Sequence, residues 1–377
     1  MDKISYGRQY IDDEDIEQVV KALKSESITQ GEYVPLFEKA LSEYTGASYA
    51  VCVSSGTAAL HIIYSALGLE KNQEIITTPN TFAATSNACL YLGGNPRFAD
   101  INMDDFLIDE NNIEKQVTEN TKIIAPVHYA GLPCSMQEIK NIADKHNLYV
   151  VEDACHSIGS FYKGHKTGSL KYSNAAIFSF HPVKHITTAE GGAILLNDEA
   201  LYKKCIALRS HGIVRDNFIN TPTSPTYHEM QMLGYNYRMT DLQAALGLSQ
   251  LKKLDMFIKR RQEIASLYND AFKDINIIQQ KRYDDRINSQ HLFPVLFENK
   301  DIRDKVYYYL KENNIFTQIH YMPVTAHPYY EKLGYSSMDT PKAYEFYERE
   351  LSLPMYYSLS DIEVEYVIDN IKKALKS

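Results

Sequence analysis

Apolar positions along the chain switch repeatedly between two periods. From Tyr49 to Ser54 they run almost unbroken, as in a strand covered on both faces, and beyond the turn at Ser55-Gly56 they recur at helical spacing from Thr57 to Leu67. The alternation continues with Glu74 to Thr78 before Phe82 to Tyr91, Pro96 to Asp100 before Ile108 to Gln116, and Lys122 to His128 before Ser135 to His146. Tyr149 to Asp153, Ala175 to Phe180 and Gly192 to Leu196 add three strands. Two helices precede them, at Asp12 to Leu23, where acids come first and suit the helix dipole, and at Val34 to Tyr44. The pattern predicts an α/β fold with a mostly parallel, seven-stranded sheet covered by helices.

The later chain reads differently. After a helix from Leu201 to Arg209, the stretch from His211 to Tyr237 carries Pro222 and Pro225 and is expected to be a long loop of the kind often used functionally. Thr240 to Tyr268 is one long amphipathic helix, taken as a connector. A strand at His291 to Phe297, a helix at Ile302 to Asn313, a strand at Phe316 to Tyr321 and helices at Pro341 to Leu351 and Asp361 to Leu375 predict a smaller C-terminal α/β domain. The expected division is residues 1–250 and 251–377.

Composition narrows the function classes. A length of 377 residues suits one large and one smaller domain. No apolar run approaches a membrane span, and Met1-Asp2-Lys3-Ile4-Ser5 lacks the order of a signal peptide, so a cytoplasmic protein with no membrane partner is expected. The five cysteines are odd in number and widely spaced, which indicates neither a disulfide framework nor a zinc site. A net charge of -9 argues against a nucleic-acid groove.

In open α/β sheets ligands bind at the carboxyl ends of the strands. Four polar stretches fall there. Ser54-Ser55-Gly56-Thr57-Ala58 ends a strand and opens a helix, which makes a candidate phosphate cup, although most such caps bind nothing. Thr81-Phe82-Ala83-Ala84-Thr85 offers an aromatic ring that is either core or a stacking platform. Val151-Glu152-Asp153-Ala154-Cys155-His156 puts a carboxylate and a histidine at a buried strand end, where a helix cap is the commoner use. Phe178-Ser179-Phe180-His181-Pro182-Val183-Lys184 delivers a lysine into a turn closed by Gly191-Gly192. An isolated lysine there is an ordinary loop residue or, if desolvated, a nucleophile. Together the four are the parts needed to hold pyridoxal phosphate covalently.

These stretches, with Gly234-Tyr235-Asn236-Tyr237-Arg238-Met239, resemble the DegT/DnrJ/EryC1/StrS sugar-nucleotide aminotransferases, fold type I pyridoxal-phosphate enzymes, over essentially the whole chain. The lysine segment and Leu208-Arg209-Ser210-His211-Gly212-Ile213-Val214 look most like the branch serving pseudaminic acid biosynthesis; His185 departs from that branch, which usually carries proline after the lysine. The resemblance implies that Lys184 is the catalytic residue holding the cofactor, that Asp153 pairs with its ring nitrogen beside His156, and that Phe82 stacks on the ring. It places Thr57, Ala58 and Ser179 around the phosphate, with Asn236 reaching the phosphate of a neighbouring subunit, hence a homodimer with shared sites. Tyr6, Thr29, His211, His320 and Tyr321 are the expected substrate contacts. The implied reaction moves an amino group from L-glutamate to C4 of a nucleotide-linked 4-keto-6-deoxy sugar. The alternatives are a relative acting at C3 or on another nucleotide sugar, and a non-enzymatic regulator on the same fold. No metal is expected.

Overall fold

In the computed structural model, which describes residues 2–376, the central sheet is built from β1 (Tyr49–Val53), β2 (Glu74–Thr77), β3 (Asn95–Phe98), β4 (Thr121–Ala125), β5 (Tyr149–Asp153), β6 (Ala175–Ser179) and β7 (Gly192–Leu196). Their order across the sheet is β1-β7-β6-β5-β4-β2-β3. Neighbours from β6 to β3 are parallel, while β7 runs antiparallel to both β6 and β1. The exception has a simple cause. Parallel neighbours need a long crossover, and between β6 and β7 the chain has only the turn around Lys184.

The strands are mostly apolar because both faces are covered; every residue of β7 is buried. The helix Gly56–Ala66 packs over β1, β6 and β7, burying Leu60, Ile62, Ile63 and Tyr64. On the opposite face Ala50, Cys52, Phe178, Ala193 and Leu195 meet Phe37 and Leu41 of the helix Tyr33–Thr45. No helix among the described residues is long and apolar enough to cross a membrane, and the five cysteines are free thiols.

The long helix spans Asp241–Phe272, and Thr240 caps it reciprocally with Gln243. The boundary expected at 250/251 falls inside this one element. Its second half contributes Ile264, Ala265, Tyr268 and Phe272 to a separate core with Val295, Val306, Leu351 and Val367. Ile4 joins that core too, bridging Ile315, so the N-terminal segment returns to the C-terminal domain. The small sheet there runs β8 (Ile278–Gln279), β9 (Phe293–Leu296) and β10 (Glu350–Leu353), all antiparallel neighbours.

Three expectations need correction. Phe316 to Tyr321 forms no strand: Gln318 bridges Ser352, and then the His320 N–H donates to the Glu350 side chain instead of continuing the ladder. The helix expected to reach Leu351 spans Pro341–Arg349, after which Glu350–Leu353 turns extended to pair with β9. The loop from His211 to Tyr237 contains a short hairpin, Ile213–Val214 with Glu229–Met230.

Candidate active site

The site gathers at the carboxyl ends of β1, β2, β5 and β6. Beyond β6, Phe180 N–H donates to Gly191 O and Thr188 N–H to Phe180 O, closing a tight loop whose inner turn, Lys184 N–H to His181 O, presents the lysine. Gly192 is required by a close approach. A Cβ there would lie 2.5 Å from Ser55 O and 2.7 Å from Gly56 N, so only glycine lets the β1 turn cross the start of β7. Gly56 is crowded as well, since an added Cβ would meet Ser179 Cβ at 3.1 Å and Cys155 Sγ at 3.3 Å. The cup, Ser179 and the β5 end are thereby pressed together.

Lys184 is half-buried, and its Nζ makes no hydrogen bond or salt bridge among the described residues. Desolvation pulls its pKa below the usual lysine range, opposed by the fields of Cys155 and Asp153. Asp153 is buried at the end of β5. Its Oδ2 accepts from Thr85 Oγ1 at 2.6 Å and its Oδ1 from Cys155 N–H at 3.2 Å, while no cation lies in salt-bridge range among the described residues. Thr85 lies in the Thr81 to Thr85 stretch but was not singled out there; its signal was a hydroxyl one helical turn after Phe82.

His156 is buried with Nε2 3.2 Å from Tyr321 Oη and with Nδ1 unpartnered. Its ring packs 4.3 Å from His291, which lies 5.5 Å from His185. Desolvation holds all three imidazoles well below the ordinary histidine pKa, with Lys184 reinforcing the effect at each. His185 is turned into the protein, its Nε2 donating to Ser289 O at 3.0 Å. Neither His185 nor His291 could be assigned a place from sequence, because their partners lie far along the chain. Among the described residues no group of histidine, cysteine or carboxylate side chains is arranged to hold a metal.

At the cup, Ser55 Oγ accepts from Ala58 N–H at 3.1 Å, so the Ala58 amide is already engaged. The N–H groups of Gly56 and Thr57 have no partner among the described residues and open the first turn of the helix Gly56–Ala66. Phe82 is 64 % exposed, its ring 6.3 Å from Tyr321. The Tyr6 ring packs 5.4 Å from His320 at a tilt of 55°, and the neighbouring Gly7 passes Val183. The structure thus brings Tyr6, His320 and Tyr321 to the lysine.

Thr29 and His211 lie elsewhere. Thr29 bridges Thr240, and His211 lines a groove of about 1150 Å³ with Gln30, Arg209 and Arg238. That groove does not contain Lys184. Asn236 bridges Ser210 beside it, while Tyr237 O accepts from Ser54 N–H, so the 236–238 segment also borders the cup.

Two unpartnered amides at a helix start, a buried carboxylate without a cation, an unpartnered imidazole nitrogen and an exposed phenyl ring surround one desolvated lysine. This set fits a planar, phosphorylated heterocycle with a protonated ring nitrogen.

Residues 9–372 match the model of the DegT/DnrJ/EryC1/StrS aminotransferase family. The chain belongs to this family. It is 40% identical over 381 residues to a UDP-4-amino-4,6-dideoxy-N-acetyl-beta-L-altrosamine transaminase of Campylobacter jejuni, covering 99% of this chain and 98% of that one. It is 39% identical over 380 residues to the spore coat polysaccharide biosynthesis protein SpsC of Bacillus subtilis, covering 99% and 97%. Among solved structures, a putative sugar aminotransferase from Streptococcus pneumoniae, Spr1654 in its PMP form, superposes with a TM-score of 0.94 at 30% identity over 99% of each chain. This family member is a sugar aminotransferase with the α/β architecture of its relatives.

Proposed function

We propose that the family member described here uses pyridoxal phosphate bound at Lys184 to move an amino group from L-glutamate to C4 of a nucleotide-linked 4-keto-6-deoxy sugar. The sugar proposed is UDP-2-acetamido-2,6-dideoxy-beta-L-arabino-hexos-4-ulose. The observation that carries the reading is the desolvated, unpaired Lys184 within the field of buried Asp153. When bound, the cofactor supplies an electron sink for the carbon that loses its proton. Asp153, held by Thr85, would keep a positive charge at the ring nitrogen. The N–H groups of Gly56 and Thr57, with Ser179, would hold its phosphate, and exposed Phe82 would lie against its ring. Lys184 Nζ then takes and returns the proton at the reacting carbon, a task that suits an amine whose pKa is depressed.

A second reading, the same chemistry on another nucleotide sugar, is kept because the Bacillus subtilis relative, nearly as similar as the Campylobacter jejuni one, is named for spore coat polysaccharide and not for this sugar. Incubation with glutamate and a panel of UDP-, GDP- and dTDP-linked keto sugars, followed by NMR location of the new amine, separates the two. Amination at C4 of the UDP-linked sugar is expected. Amination only at C3, or only of a GDP- or dTDP-linked sugar, rejects the first reading.

A homodimer is part of the proposal. Ile219, Met230 and Leu233, the last 80 % exposed, stand on the 211–237 segment, exposed apolar side chains that a second copy of the chain could cover while placing Asn236 at the partner's cup.

A further inference from the structure

Beneath His320 lies a buried hydrogen-bonded chain that the sequence did not reveal. Glu350, the first residue of β10, is fully buried, and its Oε2 accepts from the backbone N–H of His320 at 2.8 Å. Its Oε1 lies 2.5 Å from Ser352 Oγ, which lies 2.9 Å from His320 Nδ1. The His320 ring sits between Tyr6 and Tyr321, and its Nε2 makes no hydrogen bond among the described residues.

A hydroxyl has one proton to give, so the direction of this chain is fixed at its buried end. An ionised Glu350 only accepts. Ser352 then donates to it and receives the Nδ1 proton of His320, leaving Nε2 as an acceptor. A protonated Glu350 donates to Ser352 Oγ, whose hydroxyl turns to Nδ1, and His320 carries its proton on Nε2 as a donor. The change takes up one proton in total, entering at Nε2 while the Nδ1 proton passes through Ser352 to Glu350.

We propose that the buried Glu350–Ser352 pair decides which nitrogen of His320 carries the proton, and so whether His320 meets a hydroxyl or a carbonyl or phosphate oxygen of the bound sugar nucleotide. Glu350 is a positioning residue acting through Ser352. The proposal rests on the reading of His320 as facing substrate in the aminotransferase site.

The surroundings support it. Burial raises the Glu350 pKa to about 8, only partly offset by Ser352, the His320 N–H and Arg303, whose guanidinium donates to Glu350 O and Tyr347 O from the helix Lys300–Glu312. Burial and Lys184 lower the His320 pKa to about 3, so the imidazole stays neutral and only its tautomer changes. The remaining titratable neighbours are Tyr6, Tyr321, His156 and Tyr129, and burial raises the tyrosines out of the working range. The Tyr129 proton is already given to His320 O at 2.6 Å. β9 presents no titratable side chain to Glu350.

The test is the 15N NMR spectrum of histidine-labelled holoenzyme from about pH 6.5 to 9.5, with His320 assigned through His320→Gln. Wild type is expected to show the Nε2–H tautomer at neutral pH and Nδ1–H above about pH 8. In Glu350→Gln the backbone N–H of His320 orients the amide with its oxygen inward and its NH2 toward Ser352, so Nε2–H should persist at every pH. Ser352→Ala should abolish the interconversion. In kinetics with the aminated sugar, Glu350→Gln should remove the alkaline limb of kcat/KM while sparing the half-reaction with glutamate. Identical His320 shifts in wild type, Glu350→Gln and Ser352→Ala across the range would overturn the proposal. The spectrum reads the tautomer whether or not amino transfer occurs, so failure of the functional reading shows separately, as absent turnover with an intact tautomer shift.

Discussion

Chemistry at the residue scale depends on one amine and one carboxylate held in opposite ways. Lys184 is left unpaired, so desolvation lowers its pKa against only the fields of Cys155 and Asp153, whereas Asp153 is tied to Thr85 and to the Cys155 amide so that it cannot swing away. Lys184→Ala should lower turnover by about 10²–10⁴-fold, the usual contribution of a positioned proton-transfer group, while the protein still takes up cofactor without a covalent link. Steady-state kinetics and dialysis would check both. Thr85→Val removes the hydroxyl that holds Asp153 Oδ2, a charge-assisted bond of about 1.5–3 kcal/mol, and should cost about 10–100-fold in kcat/KM without unfolding the protein. An unchanged kcat/KM would show that Asp153 needs no such anchor. Asp153 and Lys184 could be singled out in sequence because Asp153 ends an apolar run that is plainly a strand and Lys184 lies in the turn that follows another. Glu350, Ser352 and His291 were not, since their significance comes from partners brought near only by the folded small domain.

The element that matters most is the reversal between β6 and β7, where a short loop forces the antiparallel exception and projects Lys184. Gly192 allows the Ser55–Gly56 turn to cross β7. Gly192→Ala should therefore displace the phosphate cup, weakening cofactor retention more than it lowers the melting temperature; retention equal to wild type would contradict this. The strands and most helices could be read from the chain because two-sided burial leaves unbroken apolar runs and caps such as Asp12 and Thr240 mark helix starts. Thr240→Ala should cost about 1 kcal/mol in denaturant unfolding, the ordinary value of a cap. Legibility failed from 316 to 321, where a side chain took the backbone bond a strand would have used, and at Glu350 to Leu353, where a two-residue period sat against a helix end.

For the whole molecule, four buried, neutral histidines lie within the field of Lys184. His156, His185, His291 and His320 all have pKa values lowered by burial from an ordinary 6.5. Below that value the unfolded chain binds protons that the folded chain refuses, so stability falls with falling pH, by about 1.4 kcal/mol per pH unit for each histidine kept neutral. Melting curves should drop steeply below about pH 6, and less steeply in His185→Gln; superimposable pH dependences would contradict the assignment. The central claim is that this fold exists to hold pyridoxal phosphate on Lys184 for amino transfer. Its most direct test is the visible absorbance of the protein loaded with pyridoxal phosphate, before and after glutamate, in wild type and Lys184→Ala. A visible band that requires Lys184 and falls when glutamate is added is predicted. No band in the loaded wild type, or one that is the same in Lys184→Ala and indifferent to glutamate, would contradict it.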